Sequence, residues 1–264
     1  LTTATTLLSA ADGFSPPGPA DFDLPAIPGL GDVTKPMVLV VLSAVLIVAV
    51  TYAMSRKAQV VPGRLQFAGE YVYGFIRDGV ARDSIGSADF LKFVPYLFSL
   101  FLFILVNNYF GLIPFIQFPT MSHIGFPIAL ALLTWLLYNG AGMVRHGVIG
   151  YLKLQTIPAG VRGPVLAIIM PLEFLSNILV RPATLALRLF ANMFAGHLLL
   201  ILFALGGEYL IFEATSAINV VAGALSFVMF FGVTVLELLV MFLQAYVFTL
   251  LTAMYVGGAL ADEH

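Results

Sequence analysis

Three features of the sequence predict an all-α, polytopic membrane protein. Hydrophobic residues make up 60% of the 264-residue chain and charged residues 10%, against about 45–50% and about 25% in soluble domains. The apolar residues collect in five runs, at 36–55, 93–118, 125–144, 163–206 and 214–260, and roughly 20 such residues cross a bilayer as a helix. None of these runs alternates in polarity as barrel strands do. About five membrane-embedded helices, the last two long and tilted, together with one amphipathic surface helix, therefore form a single helical membrane domain at 36–264, preceded by a polar arm at 1–35.

Each element has its own signal. The arm is rich in Pro, Gly and Asp (Asp12, Asp21, Asp23, Asp32) and reads as extended. The first span holds eighteen residues, Met37 to Met54, without a charge. Residues 56–92 alternate charged and apolar positions, with Phe67, Tyr71, Phe75 and Val80 near helical spacing, the pattern of a helix lying on the membrane surface. The second and third spans follow, then a polar connection carrying Arg145, Lys153 and Arg162. As a straight helix the fourth run would be roughly 60 Å long, against a hydrocarbon core of about 30 Å. It must bend, break or tilt, and Pro171 and Pro182 are the kink sites. The fifth run has the same excess length and lies beside it.

Charge sets orientation. Of the twelve Lys and Arg, nine (Arg56, Lys57, Arg64, Arg77, Arg82, Lys92, Arg145, Lys153, Arg162) fall in the two connections that five crossings put on one side, which predicts an N-terminus outside and a C-terminus inside. A formal net charge of -2 without a basic block argues against nucleic acid. The absence of cysteine excludes disulfides, thiolate metal sites and Cys nucleophiles. No H-E-x-x-H, G-x-S-x-G or G-x-x-x-x-G-K-[ST] is present, so neither a catalytic residue set nor a metal site nor direct ATP binding is expected. No basic leader opens the chain, so no signal peptide is expected, and no internal repeat of the transporter kind is seen.

The candidate site lies inside the fourth and fifth runs. Glu173, Asn177, Arg181, Thr184, Arg188 and Asn192 follow at steps of four, four, three, four and four, which trace one helical face. His197 continues it loosely, and Glu237 and Gln244, seven apart, share a face of the last run. A central Arg in a membrane helix costs about 2.5 to 3.5 kcal/mol on insertion scales, so Arg188 reads as functional rather than as packing against a carbonyl. Glu173, His197 and Glu237 exchange protons, whereas a guanidinium holds its proton and serves as a fixed charge. Glu173 and Arg181 fit an interfacial role equally well, and His197 with Glu237 also fits a plain interhelical hydrogen bond. Asn107, Asn108 and Asn139 suit contacts between helices. Proton movement is the chemistry these residues favour. A proton-coupled secondary transporter is the alternative.

The segment Arg181-Pro-Ala-Thr-Leu-Ala-Leu-Arg188-Leu-Phe-Ala-Asn192-Met-Phe-Ala-Gly-His197-Leu-Leu strongly resembles the signature of subunit a of F-type ATP synthases. The likeness extends to Leu243-Gln244-Ala-Tyr-Val-Phe-Thr-Leu-Leu-Thr and Asn107-Asn-Tyr-Phe-Gly-Leu-Ile-Pro114, and runs from about residue 90 to the end. The resemblance implies a non-catalytic stator subunit without a cofactor, packed in lipid against a ring of c subunits and held by b-type subunits of a peripheral stalk. It implies two offset aqueous half-channels, with Arg188 facing the ring carboxylate and blocking leakage between them. Asn192, His197, Glu237 and Gln244 would line or support the outside half-channel. Glu173, Ser176 and Asn177 would belong to the inside one, with Thr184 and Asn107 as supporting polar groups. Some members carry Glu and His where this chain has His197 and Glu237, so the two are expected to interact. The spacing from Glu173 to Arg188 is one residue longer than in those members, which leaves the role of Glu173 open. The expected location is a bacterial plasma membrane, with an organelle inner membrane as the alternative.

Overall fold

The structure, a computed structural model, describes residues 16–261 apart from 23, 28, 30, 57–58, 114–115, 157–165 and 213–216. Most of the arm, Lys57, Pro114, Arg162 and the start of the fourth run at Gly163 thus lie outside the described residues. Eight α-helices carry the fold among the described residues: α1 (Lys35–Ser55), α2 (Arg64–Ile76), α3 (Phe90–Tyr109), α4 (Gly125–His146), α5 (Val148–Thr156), α6 (Leu166–Leu175), α7 (Arg181–Phe212) and α8 (Ala217–Leu260). No strand occurs among them. Five stretches are long and apolar enough to cross a membrane: α1, α3, α4, Ile169–Phe212 and α8. The last two are 44 residues each, about 66 Å if straight, so both must run obliquely through a core of about 30 Å.

Two boundaries differ from expectation for physical reasons. The second span was expected to reach Phe118, but its helix ends at Tyr109. Gly111 packs against Pro119, where an added Cβ would stand 3.2 Å from the proline Cβ, and the chain folds back into a one-turn helix at Thr120–Ser122. The apolar residues that prolong the hydrophobic run, Phe110 and Phe118, are buried with Phe22 and Leu39 in a cluster of their own. The surface helix is α2, continued by a π-helical turn at Arg77–Arg82 and a short turn at Asp83–Ile85. Phe67 and Tyr71 are exposed, but Ile76, Val80 and Ala81 are wholly buried, so its C-terminal half packs on protein. There Gly257 of α8 lies so close to the Ser84 carbonyl that a Cβ would overlap it.

The core is formed by α3, α7 and α8 around Leu97, Ile104, Leu189, Met193, Met241 and Phe248. Because lipid is as apolar as these side chains, close backbone approach and interhelical hydrogen bonds drive the association. A Cβ on Gly223 would stand 2.6 Å from Ile211 Cγ1 and 3.0 Å from the Gly207 carbonyl oxygen, so the α7/α8 crossing depends on that glycine. Ser226 Oγ donates to the Phe203 carbonyl there (2.9 Å). Asn107 binds α3 to its neighbours, donating to Ser43 Oγ (2.8 Å) and accepting from Thr120 Oγ1 (2.7 Å). Asn108 Nδ2 reaches the Met241 carbonyl (3.3 Å). At the other end, Asp89 joins Lys92 (2.7 Å) and Arg145 (2.9 Å). The Lys92 hydrogen bond, with Arg145 behind it, holds the Asp89 carboxyl below its ordinary value. That tie persists above the ordinary carboxylate range and is lost as pH falls through the lowered value.

The fourth run is shaped by Pro182. Between α6 and α7 the chain makes a π-helical turn, Ser176–Val180, and such turns are wider than α and concentrate at functional sites. Pro182 has no N–H, so it can satisfy neither the Ile178 carbonyl, its α-helical partner, nor the Asn177 carbonyl, its π-helical one. Both oxygens are taken by α4: Trp135 Nε1 donates to Ile178 (3.0 Å) and Tyr138 Oη to Asn177 (3.2 Å). Residues 135 and 138 are one helical turn apart and so share a face.

Two outcomes are expected. Gly223→Val should force α7 and α8 apart and cost about 1–3 kcal/mol, read as a lower thermal midpoint of the purified protein. Trp135→Phe keeps the ring but orphans the Ile178 carbonyl, and should cost about 1–3 kcal/mol, with α6 showing faster backbone hydrogen exchange than α3.

Candidate functional site

Arg188 lies within the fourth span on a surface-exposed face of α7. Among the described residues it forms no ion pair and no hydrogen bond. Its exposed neighbours at helical spacing are Thr184, Ala191 and Ala195, with Ala183 and Leu187 beside them. Side chains this small let another helix approach closely. The opposite face of α7 at the same height is apolar and buried, formed by Leu185, Ala186, Leu189 and Met193.

Toward the arm, a polar group forms between α7 and α8. Asn192 Nδ2 donates to Gln244 Oε1 (2.8 Å), joining the two long helices one turn above Arg188. His197 is 8% exposed, Glu237 3% and Gln244 2%. The absence of a side chain at Gly196 makes room for the Glu237 carboxylate, because a Cβ there would stand 2.9 Å from Oε1. Both Glu237 oxygens, His197 Nδ1 and Gln244 Nε2 are buried without a hydrogen-bond partner. Among the described residues His197 and Glu237, the expected pair, are not joined by a hydrogen bond. His197 bonds instead to the backbone of Gln117, a non-glycine residue held at φ 39°.

Toward the basic end, a second polar group forms around the π-helical turn. Asn177 Nδ2 donates to Glu173 Oε2 (3.2 Å) and to the Gln155 carbonyl (2.8 Å). Gln155 Nε2 donates to Tyr151 Oη (2.7 Å), which donates to Asn139 Oδ1 (3.1 Å). Tyr151 packs flat on Gly142, where a Cβ would overlap its ring, and burial raises its phenol above the ordinary value. Arg181 lies over the Tyr255 ring at 5.3 Å.

The single polar face traced in the sequence therefore divides. Asn177 turns into α4 and α5, Thr184 and Arg188 point away from the chain, and Asn192 and His197 turn into α8 and the arm. The π-helical turn is one cause, since it shifts Glu173 and Asn177 relative to Arg188. Thr184 joins neither group, for its hydroxyl donates to the Val180 (2.9 Å) and Arg181 (3.0 Å) carbonyls of its own helix. Ser176 opens the π-helical turn, and Asn107 serves the helix contacts described above. Tyr138, Tyr151 and Gln155 are participants that sequence reasoning missed: Tyr151 and Gln155 lie on the short α5 outside the spans, and Tyr138 reads as one more aromatic residue of the third span. Among the described residues no group of three or more metal-ligating side chains gathers.

Comparison with known proteins fits this geometry. The family model of the ATP synthase A chain matches residues 37–257, a stretch that includes Arg188 and both polar groups. A protein of a Nocardioides species named ATP synthase subunit a is 60% identical over 265 residues, covering 96% of this chain and 95% of its own length. Proteins of the same name from Pseudarthrobacter chlorophenolicus and Streptomyces lividans are 48% and 41% identical, covering 95% and 96% of this chain and 95% and 90% of their own lengths. With a match of this extent and five membrane-spanning helices, the chain belongs to the ATP synthase subunit a family.

Proposed function

We propose that the chain is the proton-channel stator subunit of a rotary F-type ATP synthase, supplying two half-channels and one arginine that faces a ring of c subunits. The observation that carries this reading is Arg188: a permanent cation on the outer face of a spanning helix, without an ion-pair partner among the described residues. Lipid is a poor environment for it, at about 2.5 to 3.5 kcal/mol even on the mildest scales. A carboxylate from another membrane subunit removes that cost, and the small residues Ala183, Ala191 and Ala195 admit its helix. Attraction of the deprotonated carboxylate to Arg188 favours its ionised form there.

The two polar groups take the half-channel roles. Glu237 and His197, with Asn192 and Gln244, serve the arm side, where their unpartnered buried atoms are places for water to bind. Glu173, Asn177, Gln155 and Tyr151 serve the basic side. Leu185, Ala186 and Leu189 separate the two groups inside the chain, so a proton passes from one to the other only on the ring, past Arg188. A potential of 100 mV gives about 2.3 kcal/mol per proton on that route. The side of Arg56, Arg77, Arg145 and Lys153 is the cytoplasmic one, the arm side is outside, and b-type stalk subunits hold the chain against rotation. The chain itself makes and breaks no bonds.

Arg188→Ala in the purified complex in vesicles should lower ATP-driven proton pumping more than tenfold, read with a pH-sensitive dye, and normal pumping would refute the reading. Glu237→Gln, which cannot carry the proton, should slow pumping several-fold while leaving assembly intact. Alone in liposomes the chain should move no substrate; substrate exchange by the isolated chain would favour a secondary transporter.

A further inference from the structure

The arm segment just before α1 is docked rather than trailing. Residues Pro19–Phe22 form a single helical turn, and Phe22 is 4% exposed. Its ring lies 4.9 Å from Phe194, 6.4 Å from Phe118 and 6.0 Å, edge-on, from His197. Phe22 thereby walls a cavity of about 240 Å³ whose polar lining is Asp21, Lys35, Gln117 and His197. Asp21 is exposed and stands at the rim, with Oδ2 accepting from the Gly18 N–H (2.8 Å). Lys35 is engaged elsewhere, its Nζ donating to the Ile116 carbonyl (2.6 Å) and lying over Phe118 at 6.0 Å. At the inner end is His197, more than nine-tenths buried, with Nδ1 unpartnered.

We propose that Pro19–Phe22, together with Leu24, forms the wall of an aqueous vestibule leading to His197, and that Asp21 is its proton-exchanging carboxylate. This rests on the proton-channel reading above. Asp21 sets a carboxylate at the mouth of the cavity, and the other charged group of its lining, Lys35, is turned onto the Ile116 carbonyl and the Phe118 ring. Asp21 is exposed to solvent, and His197 is the next group on the path that can carry a proton. Glu237, packed against Gly196, follows it. The arm is thus part of the proton path, and Phe22 fixes its geometry by bridging the chain reversal after α3 to α7.

The test uses the purified complex. Asp21→Asn keeps the acceptor for the Gly18 N–H but removes the charge, and should lower ATP-driven proton pumping at least twofold in vesicles. Because the chain has no cysteine of its own, Leu24→Cys and Ile201→Cys, both on the cavity wall, introduce unique thiols in it. Treating either variant with a cationic methanethiosulfonate before reconstitution should lower pumping at least threefold relative to the untreated variant. Unchanged pumping by Asp21→Asn, or after modification of both cysteines, overturns the proposal. Arg188→Ala measured alongside separates the two levels: if it loses pumping while the arm variants pump normally, only the vestibule fails, and if it also pumps normally, the proton-channel reading fails with it.

Discussion

The structure is organised around the positive charge of Arg188 on the outer face of α7. Arg188 cannot release its proton and has no counter-charge among the described residues of its own chain. Every neighbouring feature accords with presenting that charge outward. The inner face of α7 is sealed by Leu185 and Leu189, the outer face carries Ala183, Ala191 and Ala195 beside Thr184 and Leu187, and carboxylates and the histidine of the helix are held at a distance on either side. His197 is nine residues away, about 13 Å, and Glu173 lies fifteen residues away in the other direction. A carboxylate of this chain closer to Arg188 would neutralise the cation internally and remove its pull on any partner.

Much of this was legible in the sequence, because the cost of charge in lipid is itself a sequence-level statement. Arg188, Asn192, His197, Glu237 and Gln244 stood out as polar residues in apolar runs, and periodicity placed Asn192 on the polar face of one long helix and Gln244 on that of the other. The limits of the second span were not legible. Hydropathy cannot distinguish an apolar helix from an apolar chain reversal, and Phe110 and Phe118 read as span while they fill a pocket beside Phe22. In the described part of the arm, Pro, Gly and Asp conceal Phe22, a buried phenylalanine that packs on the rest of the chain.

The π-helical turn is the more instructive case. Pro182 announced a kink in the sequence, but not which groups would satisfy the carbonyls it leaves free. Trp135 and Tyr138 do so from another helix, and the same turn brings Asn177 into contact with Gln155. Polar residues of the short α5 thus become neighbours of Glu173, although nothing in their spacing predicts it. The π-helical turn lies between Glu173 and Arg188, and a turn of this kind accommodates an additional residue without breaking the rod. The side chains beyond it are rotated, and a seam that is continuous in the sequence becomes two separate groups.

That separation governs how a proton could travel. A continuous polar seam from Glu173 to His197 would be a wire across the membrane, and protons would run down their gradient without doing work. The fold interrupts it twice. The π-helical turn rotates the Glu173 end toward α4 and α5, and the buried apolar face from Leu185 to Met193 offers no polar group between Arg181 and Asn192 inside the chain. What remains between the two groups is the outer face bearing Arg188, whose fixed charge repels a free proton and attracts a carboxylate. On the proposed function a proton crosses there only as part of a neutral acid carried by another subunit, which would make apolar packing inside α7 as necessary to coupling as the arginine itself.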